Sequence, residues 1–272
     1  MAVVSMSMEL GALSKEVAEE LARELRSQLI YPEVLDRVAQ RMGAPRGRLE
    51  DVLSGRTPAS DMRRDSERDL RAYSGAALLA AAARDGAVIR GWGASQLLKA
   101  VNHVAMVRIC APIEQRVKNL MHVLGTDDRD RALREIARSD ASYAACLHDE
   151  NGTSSWHAYH LVLNTERCSV AQCVEQILSL LKHPQFRPTE QALKTLADLT
   201  LAAGIQAAMR DDGATRGVDV IVEAREGVVT LAGMVSTPEE RDAAARVASA
   251  YPGVADVHNA LRTVGGGHAY TR

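Results

Sequence analysis

The chain has 272 residues, enough for two domains and too many for one small module. Hydrophobic residues make up 46%, charged residues 25%, and mean hydropathy is −0.15, so disorder does not dominate the length. With 33 Lys+Arg against 35 Asp+Glu the net charge is −2, and aromatics are 3% with Phe186 the single Phe. No global basic field or base-stacking platform is present, which excludes nucleic acid as an expected partner.

In chain order, residues Ala2–Met8 form an apolar run ending at Gly11, after which Leu13, Val17, Leu21 and Leu25 recur at helical spacing. A strand, a turn and a helix are expected there. Further helix is expected over Pro32–Met42 and Arg48–Leu53, with Pro32 suited to a first turn. Residues 57–71 alternate Arg63, Arg64, Arg68 and Arg71 with Asp61, Asp65, Glu67 and Asp69, the pattern of a solvated helix face. Then come a helix over Ala76–Arg84, a strand Ala87–Ile89, a helix from Ser95 and a strand Val104–Cys110. Helices Ile113–Leu124 and Arg129–Leu147, a strand Leu161–Asn164 and a helix Ser169–Leu181 complete this part. Near-continuous apolar strands between helices imply an α/β domain over residues 1–182, its parallel sheet covered by helices on both faces.

Residues 183–188, with Pro184 and Pro188 and no periodicity, read as a linker. The rhythm then changes to a helix Thr189–Arg210, strands Val218–Ala224 and Val228–Leu231 about a Glu226-Gly227 turn, a helix Pro238–Ala250 and a strand Val254–Val264. That is a small α+β unit of αββαβ order over residues 189–264, followed by a Gly-rich flexible tail at 265–272. From Thr189 onward there are 8 basic and 11 acidic residues, a balance of −3 against +1 for residues 1–188.

Cys110, Cys146, Cys168 and Cys173 form no CxxC pair and are expected as reduced, mostly buried thiols. His148, His157 and His160 lie near Trp156 and Tyr159 at a spacing matching no standard ligand pattern, so no metal is expected. The start lacks a basic, apolar leader and no run approaches the ~20 apolar residues of a membrane span, which makes the cytoplasm the expected compartment.

A strand opening through a glycine turn onto a helix is where free backbone N–H groups and the helix dipole can hold phosphate. The candidate loop residues are Gly11, Ser14 and Lys15. Four passages in order, Val88-Ile89-Arg90-Gly91-Trp92-Gly93-Ala94, Ile109–Arg116, Asp140 with Gly152, and Tyr159–Thr165, resemble motifs of the cytidylate kinase-like family of P-loop nucleoside monophosphate kinases. Residues Ser7–Lys15 align without gaps on that family's S-R-E-Y-G-S-G-G-R.

The departures are as informative as the matches. Leu13-Ser14 replaces the glycine pair, Trp92 an arginine, Tyr143 another, Asn119 the second arginine beside a kept Arg116, and His160 an acidic residue. Phosphoryl transfer rests on positioning and on cations around the transferred group, so these losses predict a degenerate kinase fold without kinase activity. Were the site active, the resemblance assigns Lys15, Arg90, Arg116 and Asp140 to it, with ATP and Mg²⁺ as cosubstrate and cofactor. Trp92 is read as a packing plug, with base stacking as the alternative.

Gly217–Gly233, Pro238–Ala250 and Tyr251–Val257 resemble a BON domain. That resemblance implies binding to proteins or phospholipid surfaces rather than chemistry, in bacterial stress or envelope proteins. The acidic balance of the module favours a protein partner or self-association over anionic lipid, through a strand edge or the helix Pro238–Ala250. The expected role is therefore a binding, regulatory or scaffold component. An active nucleoside monophosphate kinase and an envelope-associated adaptor are the alternatives.

Overall fold

The structure, a computed structural model, describes residues 2–7, 9–30, 32–53, 62–84, 86–91, 94–147 and 156–264; for 32, 33, 53, 142–147 and 156 only the backbone is described. Trp92, His148, Gly152 and the tail therefore lie outside the described residues, as do the side chains of Tyr143 and Cys146.

The larger sheet is built from β1 (Val3–Ser7), β2 (Gln28–Ile30), β3 (Ala87–Arg90), β4 (Val104–Cys110) and β5 (Leu161–Asn164), in the order β2-β3-β1-β4-β5. Every pairing is parallel. Side chains alternate between two cores, as the pleat requires. Val3, Ile89, Val104 and Met106 face one core; Val4, Met6, Val88, Ala105, Val107 and Ile109 face the other. The first core is roofed by α2 (Pro32–Met42), α3 (Arg46–Leu53) and α4 (Arg64–Ala82) through Leu35, Leu49 and Leu78. The second is closed by α1 (Ser14–Leu25) and α8 (Val170–Leu181), whose Val17, Leu21, Val174 and Ile177 form stripes at helical spacing. Each fully buried Leu or Ile contributes about 1.5–3 kcal/mol. Between them run a short helix α5 (Ala94–Leu97), then α6 (Ile113–Leu124) and α7 (Arg129–Leu147).

Local chemistry explains several boundaries. α8 begins with a reciprocal capping box, in which Ser169 accepts from the Gln172 amide and Gln172 accepts from the Ser169 amide. α6 ends at Gly125, whose φ of 60° suits a left-handed cap. β2 has three residues and lies at the sheet edge, too short to leave a period in the sequence.

The second sheet has the order β6-β7-β8, formed by β6 (Val220–Arg225), β7 (Val228–Val235) and β8 (Asp256–Thr263). β6 and β7 are antiparallel about Glu226 and Gly227, both at positive φ (49° and 85°), the backbone of a tight hairpin turn. β8 runs parallel to β7 after a crossover through α10 (Pro238–Ser249), which Thr237 caps.

α9 (Glu190–Asp211) belongs to both halves. Its Ile205 and Met209 complete the core under the small sheet, while Leu196 and Ala207 enter the first core of the large domain. Residues 183–188, expected as a linker, carry a single 3-10 turn over Pro184–Phe186, and Phe186 packs on the second core.

The charged stretch on α4 is a correction to the sequence reading. Arg63, Arg64 and Asp65 are exposed as expected, but Asp69 is buried at the seam between the domains. Its carboxylate accepts from Arg210 Nε at 2.7 Å and Arg216 Nη2 at 2.5 Å, and Arg210 also donates to the Arg216 carbonyl. Nearby, Asp211 accepts from Tyr73 Oη at 2.7 Å and from Arg41 Nε at 3.1 Å, and Arg68 pairs with Asp219 at 2.9 Å. The charged first half of α4 is solvated on one side and joins an ionic seam through Arg68 and Asp69 on the other.

That seam should weaken in alkali. Burial first, and the hydrogen bond to Asp211 second, push the Tyr73 hydroxyl up to about 12. A tyrosine in the unfolded chain ionises near 10, so the folded protein keeps a proton that the unfolded chain has lost. Its contribution is complete below about pH 10 and is lost as pH rises toward about 12. Melting temperature followed across that window should fall more steeply for the parent chain than for Tyr73→Phe.

Candidate functional site

The site sits at the carboxyl ends of β1, β3, β4 and β5, where open parallel sheets place ligands. After β1 the chain turns through Gly11 (φ 83°) and Leu13 (φ 58°) into α1, and the Ala12 amide donates to the Glu9 carbonyl at 3.1 Å. Gly11 is required twice over. Its φ is left-handed, and a Cβ there would overlap the carbonyl oxygen of Arg116. Leu13 holds a left-handed backbone without glycine and caps α1 with no side-chain hydrogen bond.

Three consecutive loop carbonyls are fastened by side chains. Arg116 Nε donates to Leu10 O at 2.8 Å, Asn119 Nδ2 to Gly11 O at 2.8 Å and Thr165 Oγ1 to Ala12 O at 3.0 Å. Asn119 is oriented by Gln115, whose Nε2 donates to its Oδ1 at 2.9 Å. Thr165 is buried and lies also within 3.3 Å of the Cys110 carbonyl, so it ties the end of β5 to both β4 and the loop.

Arg116 is nearly enclosed, its side chain 8% exposed, and it holds Asp140 in a two-pronged pair at 2.9 and 2.6 Å. Glu9 pairs with Arg108 at 2.5 Å and stands 4.0 Å from Arg116. Around the loop two carboxylates thus offset two guanidiniums. Lys15 is 63% exposed and pairs along its own helix with Glu19 at 3.8 Å. Ser14 is buried at the first position of α1. Arg90 ends β3, in register with Met6, and the following Gly91 amide donates to the Met6 carbonyl at 2.9 Å.

Of the residues singled out from the sequence, the fold brings Gly11, Arg116 and Asp140 together, with Ser14 one turn away. Lys15 is on the same helix end but its side chain is on the solvent face. Asn119 and Thr165 were missed as loop ties. Thr165 closes a quoted motif and Asn119 stands at a substituted one, which is the only sequence signal they carry.

His160 is a structural residue of the sheet. Its Nδ1 accepts from the Met106 amide at 2.9 Å, its own amide donates to the Met106 carbonyl at 2.8 Å, and its ring meets Phe186 edge-on at 5.2 Å. Burial pushes its imidazole below the ordinary range, consistent with a neutral acceptor nitrogen. No group of three metal-ligating side chains occurs among the described residues. Among the three cysteines whose side chains are described, Cys110 and Cys168 are half-buried and Cys173 is fully buried, which corrects the expectation of mostly buried thiols. Burial, then the neighbouring Cys168 and Cys110, push the Cys173 thiol up to about 11.

A five-stranded parallel sheet with this loop after its central strand defines a protein of the P-loop kinase-like class. The chain belongs to the cytidylate kinase-like family, whose sequence profile matches residues 3–167, and a BON domain is matched over residues 197–265. No curated protein matches the chain in sequence. A crystal structure of an uncharacterized protein from Eubacterium ventriosum is similar with TM-score 0.51 at 17% identity, over 66% of this chain and 98% of that one. Shikimate kinase from Acinetobacter baumannii (15% identity, covering 66% of this chain and 93% of that one) and from Bacteroides thetaiotaomicron (13%, covering 67% and 99%) each align with TM-score 0.40. No helix among the described residues is long and apolar enough to cross a membrane.

Proposed function

We propose that this member of the cytidylate kinase-like family has lost phosphoryl transfer and works as a binding, regulatory or scaffold component, its BON domain engaging a protein partner. The supporting observation is the state of the loop. Its carbonyls are tied by Arg116, Asn119 and Thr165, and Arg116 is committed to Asp140. Lys15 turns to solvent. A magnesium–triphosphate group carries several negative charges and needs surplus cations around it. Glu9 and Asp140 already offset Arg108 and Arg116, and Lys15 pairs with Glu19 on its own helix, so few cations remain for that group and the residues fit it poorly. Cytoplasmic location and a part in bacterial stress physiology belong to the same reading.

The BON domain supports a binding role through its sheet. Ile221, Val228 and Met234 are exposed at 59%, 44% and 62%, while the acidic balance of the module disfavours anionic lipid. Co-sedimentation with anionic vesicles at low salt is expected to leave the protein in the supernatant; binding that requires residues 189–264 would restore the envelope-adaptor reading.

A coupled assay of ADP release with ATP, Mg²⁺ and CMP or dCMP is expected to show no turnover above background. Turnover that Lys15→Ala removes would instead establish an active nucleoside monophosphate kinase. That second reading draws on the clustering of Gly11, Arg116 and Asp140 at one loop.

A further inference from the structure

Away from the loop, the seam between the two domains forms an open cavity of about 320 Å³, lined by α2, α4 and α9 together with Tyr251. Its size lies at the lower end of the ~300–1,000 Å³ usual for small-molecule sites, which also favour domain boundaries. We propose that this cavity binds a small flat anion, an aromatic ring carrying one phosphate or carboxylate.

The lining supplies each part of that ligand. Ala76, Ala77 and Ala80 of α4 leave an open apolar surface where larger side chains would fill the gap between helices. Gly204 of α9 lies in the same wall, and a Cβ there would overlap the hydroxyl of Tyr251, so Tyr251 occupies the space the glycine vacates. Tyr251 offers its ring to a flat aromatic body, while Tyr73, buried and covered on one face by Arg41, forms part of the wall behind it.

The charge at the cavity is cationic. Arg41 lies over the Tyr73 ring at 4.4 Å and is held by Asp211, which neutralises it and fixes its position. Arg37, one turn earlier on the same side of α2, is exposed and makes no ion pair or hydrogen bond among the described residues. Two guanidiniums against one carboxylate leave a surplus positive charge, and a planar guanidinium suits the oxygens of phosphate or carboxylate.

A neighbouring cavity of about 570 Å³ shares Thr200 and Tyr251 but differs in charge. Its Lys194 is paired with Glu190 and Glu226, and Asp198 accepts from the Glu226 amide at 2.8 Å. Its ionic groups are satisfied internally, which leaves the Arg37 cavity as the anion site.

Since Arg37, Arg41 and Tyr73 come from one domain and Gly204 and Tyr251 from the other, a ligand here touches both and stabilises their docking. The inference does not depend on whether the loop after β1 transfers phosphate.

The test is calorimetric titration of the full chain with phenyl phosphate, benzoate and inorganic phosphate, repeated on Arg37→Gln and on Ala80→Leu, which fills the cavity. Phenyl phosphate or benzoate should bind saturably, more tightly than inorganic phosphate and with a rise in melting temperature. Arg37→Gln should weaken binding by about tenfold or more, and folded Ala80→Leu should abolish it. No saturation at millimolar ligand overturns the proposal. So does affinity unchanged by Arg37→Gln, whose exposed position leaves the fold intact even if Ala80→Leu does not. Inorganic phosphate binding as tightly as phenyl phosphate overturns the aromatic part.

Discussion

Asp69→Asn is expected to destabilise the full chain by about 3 kcal/mol, because it takes the close counter-charge from a buried guanidinium and leaves it only the solvated Asp65 at 3.9 Å. Asp69 and Arg210 are only 5% and 7% exposed at their side chains and meet at 2.7 Å, so little water is available to take over the lost role. The loss falls on the seam, where Arg216 loses the same partner. Unfolding by urea should show the reduced stability, and the small domain should melt ahead of the large one. Arg210→Met combined with Asp69→Asn should recover a substantial part of it, since removing both members of a buried pair is much cheaper than removing one. A loss below about 1 kcal/mol, the range of solvated surface pairs, would show that the two domains are not docked through this pair in solution.

Gly11→Ala is expected to cost about 3 kcal/mol. The backbone at Gly11 is left-handed, and the added methyl would meet the Arg116 backbone rather than a movable side chain. Because α6 would have to retreat, the ties from Arg116 and Asn119 to the loop should loosen with it. Chemical denaturation measures the loss, and faster amide hydrogen exchange over residues 9–16 would localise it. A near-neutral Gly11→Ala would mean that α6 does not approach the loop this closely. A practical consequence is that substitutions at Gly11 report on packing as much as on phosphate. Lys15→Ala, on an exposed side chain, is the cleaner probe of nucleotide binding.

Much of the large sheet was legible because its strands are buried on both faces and its helices carry apolar stripes. β4 is read from the sequence over the same residues, Val104–Cys110, that the fold assigns, since six apolar residues interrupted by Arg108 alone leave few alternatives. β2 was not legible: three residues at an edge have no period to detect. α4 was divided in the reading because charges dominate its first half and alanines its second, yet one helix spans Arg64–Ala82. The loop showed its glycine, lysine and arginine in the sequence. That Arg116 would be committed to a carbonyl and to Asp140 was not visible, because Asp140 is 24 residues away on another helix.

From local chemistry alone the sequence determined the alternating α/β order, the hairpin at Glu226-Gly227 and the family motifs. Each of these depends on residues close together in the chain, where φ preferences and side-chain periodicity act directly. Only the tertiary structure decided which charges are solvated and which are buried. Asp69 and Asp65 look alike in a charged run, but α9 returns from far along the chain to enclose one and leave the other in water. Burial depends on that distant helix, and with it the strength of each ion pair.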